Sequence, residues 1–170
     1  SNNVFTVTNQ FTVVEGSHNR RPDIVAFING LPVAVIELKN AASENATISD
    51  AFNQLQTYKE QIPSLFRTNA VLITSDGLLA RIGSLSAGED RFMPWRTVTG
   101  AQDDFTPEGP MEMDTLLRGV FEPKYFLQLM RDFTVFGDKG DGPFKIVGGY
   151  HQFHGARKAL ASAIDAVSED

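Results

Sequence analysis

Four consecutive apolar residues, Val33-Ala34-Val35-Ile36, run straight into Glu37-Leu38-Lys39, and this junction constrains the fold more than any other stretch of the chain. A run that is apolar at every position, rather than at every second one, has no face to show to water. It reads as a strand buried on both sides within an α/β sheet. Alternation beyond it sends Glu37 and Lys39 to one face and Leu38 to the other. A carboxylate and an ammonium at the end of such a strand are costly unless they pair, lose their charge or meet a metal. Charges gathered where a buried strand leaves a sheet therefore mark a candidate site.

Upstream, Pro22-Asp23 leads into Ile24-Val25-Ala26-Phe27-Ile28, and Asn29-Gly30 separates that run from Leu31. Asn-Gly between two apolar runs signals a hairpin. Its register decides whether Asp23 joins Glu37. A two-residue loop with unbroken pairing sets Asp23 opposite Ile36 and leaves Glu37 on the other face. A three-residue loop, Asn29-Gly30-Leu31, pairs Ile28 with Pro32, places Gly30 in the left-handed position and brings Asp23 opposite Glu37. Opposed residues hold their Cβ atoms about 4.5–5.5 Å apart, a separation at which two carboxylates can share one hard cation. A metal site on this hairpin thus requires an odd loop or one bulge.

Around the hairpin, residues 4–14 read as one long strand bent near Asn9-Gln10, 15–21 as a polar turn and 40–46 as a loop. Thr47, with Asp50 three residues on, marks a helix start, and Pro63 ends that helix after about Gln61. Ile48, Ala51, Phe52, Leu55 and Ile62 form its inner stripe, and Gln54 and Tyr58 share one flank of it. Strands are expected over 70–74, 78–83 and 92–98, with a turn at Asp76-Gly77. An acidic linker follows over 100–110, then helices over 123–133 and from about 151 to 167, with a loop over 137–143 between them. This order predicts a mixed sheet flanked by helices, with a C-terminal helical extension. It divides the chain into a core over 1–100, a linker and helical extension over 101–150, and a C-terminal helix over 151–170.

A net charge of −6 argues against a surface that grips nucleic acid all over. Local cations remain beside the site: Arg20, Arg21, Lys39, Lys59, Arg67 and Arg81. The absence of cysteine excludes disulfides and thiolate metal centres and is compatible with the cytoplasm. No apolar run approaches the roughly 20 residues of a membrane span. His151 and His154 lack a Cys or Asp partner at zinc spacing. No phosphate-binding G-x-x-x-x-G-K-[ST] loop occurs, so these residues are not expected to hydrolyse ATP.

Pro22-Asp23, a spacer and Glu37-Leu38-Lys39, followed on the helix by Gln54-Leu55-Gln56-Thr57-Tyr58, resemble the PD-(D/E)xK nuclease superfamily with its accompanying QxxxY motif. Asn19-Arg20-Arg21-Pro22-Asp23, Gly30-Leu31-Pro32-Val33, Arg91-Phe92-Met93-Pro94-Trp95-Arg96-Thr97 and Gly149-Tyr150-His151-Gln152-Phe153-His154 narrow the likeness to the nuclease domain of type I restriction endonuclease motor (R) subunits. That likeness implies a restriction-endonuclease-like fold and Mg²⁺-dependent cleavage of double-stranded DNA. It implies Asp23, Glu37 and the Leu38 carbonyl as metal ligands, Lys39 as the residue that orients water or meets phosphate charge, and Gln54 and Tyr58 as supporting residues. Arg20, Arg21 and Tyr58 are implied as DNA contacts. Modification and specificity subunits would be partners, and ATP would be used only by a motor outside these residues. The family usually places a helix with a further acidic residue before the first strand, and this chain opens at that strand. The alternatives are a non-catalytic DNA-binding or docking module on a nuclease fold, and another PD-(D/E)xK recombination nuclease.

Overall fold

Five strands form the central sheet, in the order β1-β4-β5-β6-β7: β1 (Phe5–Asn9), β4 (Ile24–Ile28), β5 (Leu31–Leu38), β6 (Val71–Ser75) and β7 (Ala80–Gly83). The structure is a computed structural model that describes residues 2–40, 47–138, 140 and 142–168. Among the described residues the only parallel contact in this sheet joins β5 to β6, and the connection between them carries helix α1 (Ile48–Gln61). A parallel pair needs such a crossover, whereas β4 and β5 need only a tight turn. The sheet is therefore mixed, as expected.

Of the two routes open to it, an odd loop or one bulge, the hairpin takes the bulge. Asn29 and Gly30 are both left-handed, with φ of 53° and 80°, and they form a two-residue turn in which Ile28 faces Leu31 and Phe27 faces Pro32. Positive φ at both central residues is what the twist of a tight hairpin demands. The three-residue loop is not formed. The parity is restored one step later, where the register shifts between Ala26 and Phe27 and Ala26 faces Ala34. Val33 is the extra residue of this bulge. From there Val25 faces Val35 and Ile24 faces Ile36, and the next step of the same register belongs to Asp23 and Glu37.

From β4 to β7 both faces of the sheet are covered, whereas the edge strand β1 stays largely exposed. Val25, Val35 and Leu72 pack against Leu55, Tyr58 and Ile62 on the α1 side. Each such buried aliphatic side chain contributes about 1.5–3 kcal/mol. Ala34, Ile36 and Ile73 pack on the opposite side against α2 (Glu112–Val120), α3 (Pro123–Asp132) and Phe153 of α4 (Tyr150–Ser168), which supply that layer. Thr47 caps α1 through a reciprocal capping box with Asp50. Ile62 closes the helix just before Pro63.

Several expectations are corrected. The strand expected over 4–14 breaks at Gln10, whose φ is 52°. Val13–Glu15 (β2) instead pairs with His18–Arg20 (β3) in a separate two-stranded sheet, so residues 15–21 are half strand. Residues 92–98 form no strand. Met93 bridges to Ile82, after which Pro94 offers no N–H and Trp95 turns into the core. Helix α2 and the β8 (Thr134–Asp138)–β9 (Pro143–Val147) hairpin were not expected at all. The loop expected over 40–46 lies, from residue 41 onward, outside the described residues, as do 139 and 141 in the loop expected over 137–143. No described helix is long and apolar enough to cross a membrane.

Candidate active site

The ends of β4 and β5 bring Asp23, Glu37, Leu38 and Lys39 together beneath α1. Asp23 precedes β4 and is gripped from both neighbouring strands. Its Oδ2 accepts from the Leu38 amide at 2.9 Å, and its Oδ1 accepts from Gln10 Nε2 at 2.8 Å. Gln10 also donates its backbone N–H to the Asp23 carbonyl at 2.8 Å. Glu37 is only 4% exposed. Its Oε1 accepts from Lys39 Nζ at 3.1 Å, while its Oε2 is buried without a partner at full hydrogen-bond geometry among the described residues.

This arrangement works against the charge on Glu37. Burial first, and then the negative charge of Asp23, push its pKa up; the Lys39 ammonium and the Asp23 backbone amide pull the other way and do not win. A buried carboxylate whose proton affinity is raised, with one oxygen unsatisfied and a second carboxylate opposite, is a donor set short of positive charge. Two hard oxygen donors of this kind suit a hard divalent cation. Groups of three or more His, Cys, Asp or Glu at metal-binding distance are absent among the described residues, so any cation here would rest on two carboxylates, backbone oxygen and water.

Helix α1 turns one stripe toward this corner. Tyr58 is buried, and its phenol is pushed up to about 12, by burial and then by the charges of Glu37 and Asp23, with Arg20 opposing and a weak hydrogen bond to the Glu37 carboxylate adding to the rise. Eight residues earlier, the Asp50 carboxyl is held low chiefly by its Thr47 hydrogen bonds and in small part by Lys39. Gln54 lies midway on that same stripe, half-buried and one turn from each. At the last turn Gln61 accepts from Arg20 Nε. The structure thus gathers Asp23, Glu37, Leu38, Lys39 and Tyr58, sets Gln54 and Arg20 along the same helix flank, and leaves Arg21 exposed beside them.

Two residues around the site and the core escaped the sequence. Gln10 carries no motif, and the only hint was the bend expected near it. Glu112 is 1% exposed and joins Arg81 of β7 to Arg96, accepting also from the Ala80 amide at 2.8 Å. This buried triad commits Arg81, one of the cations considered for nucleic acid, to a structural role. Trp95 and His154 are buried in the core, as packing residues.

Fold and site together define an α/β domain whose mixed sheet presents an acidic pair and a lysine at one end, beneath a tyrosine of α1. The model of the type I restriction enzyme R protein N terminus matches residues 1–91, more than half of the chain, and the chain belongs to that family. It is 41% identical over 170 residues to the type I restriction enzyme HindI endonuclease subunit of Haemophilus influenzae, covering 99% of this chain and 16% of that protein. It is 34% identical over 182 residues to the MjaIXP protein of Methanocaldococcus jannaschii, covering 97% of this chain and 17% of that relative. A third relative, the SsaAORF53P endonuclease subunit of Staphylococcus saprophyticus, is 39% identical over 88 residues, covering 51% of this chain and 9% of that protein. The chain therefore spans about a sixth of the length of the first two relatives.

Proposed function

We propose that these residues form the Mg²⁺-dependent endonuclease module of a type I restriction R subunit, a PD-(D/E)xK nuclease that hydrolyses phosphodiester bonds in double-stranded DNA. The observation that carries this reading is the buried Glu37 carboxylate on the register step it shares with Asp23, with Lys39 on one oxygen and the other, Oε2, without a partner at full hydrogen-bond geometry. The ion pair engages one oxygen, and the other keeps acceptor capacity within a buried, charge-poor corner.

Asp23, Glu37 and the Leu38 carbonyl would hold the ion. When bound, Mg²⁺ supplies a Lewis acid for the phosphate and makes water easier to deprotonate. Lys39, released from sole duty to Glu37, orients the attacking water or meets the negative charge that grows on phosphorus, where a fixed cation acts most strongly. Tyr58, held protonated by its raised pKa, is a donor toward the carboxylates or the DNA. Gln54 supports it from the preceding turn. Arg20 and Arg21 offer phosphate contacts, which position a duplex without reading its bases. Sequence choice would fall to specificity and modification subunits in a cytoplasmic complex, and ATP to a motor elsewhere in the polypeptide.

Lys39→Ala in the reconstituted R-subunit complex is the decisive variant. It removes a charge that acts mainly in the transition state, so cleavage falls by roughly 10²–10³-fold while ATP turnover persists. Cleavage at the wild-type rate would sink the proposal in favour of a non-catalytic docking role.

A further inference from the structure

Gln10 occupies a conformation that its side chain does little to justify locally. Its φ of 52° lies in the left-handed region, which costs an L-residue about 1–2 kcal/mol. Gly, Asn and Asp are the usual occupants, because they lack a Cβ or bond to their own backbone. A glutamine does neither. It follows Asn9, which faces Ile24 in the last β1–β4 pair, and it is the corner at which the chain leaves the sheet for β2.

What the conformation achieves lies across the strand. With its backbone N–H on the Asp23 carbonyl at 2.8 Å, Gln10 swings its amide back onto Asp23 Oδ1, also at 2.8 Å. The Leu38 amide holds Oδ2 from the other side. Two anchors on two different oxygens fix both the rotation and the plane of the carboxylate, and each oxygen keeps further acceptor capacity. A residue strained to aim a donor at a carboxylate is the arrangement expected around a metal ligand, whose supporting hydrogen bonds set its orientation.

We propose that Gln10 is a positioning residue that pre-orients the Asp23 carboxylate for a divalent cation; this rests on the reading of Asp23 and Glu37 as a metal site. Gln10 does not itself ligate the ion in this scheme. Its amide carries the strain of the β1 corner so that Asp23 need not be ordered at the moment of binding.

The test compares Mn²⁺ binding, by calorimetry, and metal-free thermal stability for the wild type, Gln10→Gly, Gln10→Asn and Asp23→Asn. Glycine keeps the backbone N–H and relieves the positive φ, so metal-free stability stays level or rises while Mn²⁺ affinity falls about tenfold, the lower end for losing a supporting partner. Asparagine tolerates the conformation and keeps the amide, but is one methylene too short to reach, and shows the same loss. Gln10→Gly with wild-type Mn²⁺ affinity overturns the proposal. So does a loss of affinity matched by a fall in metal-free stability, which would make Gln10 a turn residue only. If Asp23→Asn binds Mn²⁺ as the wild type does, the metal-site reading itself falls, and this one with it.

Discussion

Replacing Glu37 by glutamine should make the metal-free protein more stable at neutral pH, although it removes an ion pair. The signs follow from the surroundings of the carboxylate. Lys39 Nζ at 3.1 Å attracts it with about 5 kcal/mol at an effective dielectric constant near 20, and a carboxylate at the roughly 5 Å typical of opposed residues, as Asp23 is, repels it with about 3 kcal/mol. Burying the charge costs several kcal/mol more. Burial and Asp23 together exceed Lys39, in keeping with the raised pKa. The surplus is about 1–3 kcal/mol, which is also the range for a buried acceptor left unsatisfied. Glutamine keeps the shape and removes the surplus, and Lys39, whose side chain is 24% exposed, turns to water. For 170 residues, 1 kcal/mol moves Tm by about 2–4 °C, so the variant should melt roughly 2–12 °C higher. The pH dependence provides the check. A carboxyl whose folded pKa is raised contributes its stability below the ordinary value of 4.5, and that contribution is lost as pH rises through the folded value. The advantage of Glu37→Gln should therefore be absent near pH 4 and full at pH 8. Calorimetric melts across that interval, in chelator, measure it. A variant less stable than the wild type at pH 8 would show that Lys39 satisfies Glu37, and the reasoning from a charge-poor site would fail.

Deleting Val33 should straighten the bulge and reverse the alternation of everything after it in β5 relative to β4; Mn²⁺ binding by calorimetry should vanish even in the fraction that remains folded by circular dichroism. Glu112→Ala takes from Arg81 its carboxylate partner, leaves Arg96 with only the exposed Glu108, and leaves the Ala80 amide unbonded. Losing one partner of a buried ion cluster costs about 3–5 kcal/mol, read as a fall in Tm of roughly 6–20 °C.

Features decided by neighbours in the chain were legible in the sequence. The capping box of Thr47 and Asp50, the stop at Pro63 and the two-sided burial of β5 are local, and each was found where expected. The carboxylate register was legible only as a parity. Either a third loop residue or one bulge brings Asp23 opposite Glu37, and nothing in Asn29-Gly30-Leu31-Pro32-Val33 tells which. The left-handed pair Asn29-Gly30 settles it for the tight turn. Features made by distant partners were illegible. Gln10 breaks β1 without any Gly or Pro, because its reward is a bond to Asp23. Helix α2 begins at Glu112 with no side-chain cap, since its first turn is held by arginines from β7 and from the segment after it. Gly119 lies inside that helix, where a Cβ would collide with Trp95, so a residue that argues against a helix is there for packing.

The topology also orders the assembly of the site in time. Asp23 and Glu37 meet across a hairpin, a contact formed in microseconds, whereas β5 joins β6 only after the chain has closed over α1. An isolated two-stranded hairpin is marginal in water, and while it flickers its carboxylates are hydrated and repel each other little. Where α1 docks after the rate-limiting step, the electrostatic cost arrives only then, as the water leaves. An interaction that exists only after the rate-limiting step changes how fast a protein comes apart, not how fast it forms. A cation seated between these carboxylates would then act as a latch: refolding would proceed at its metal-free pace, and the finished domain would open more slowly.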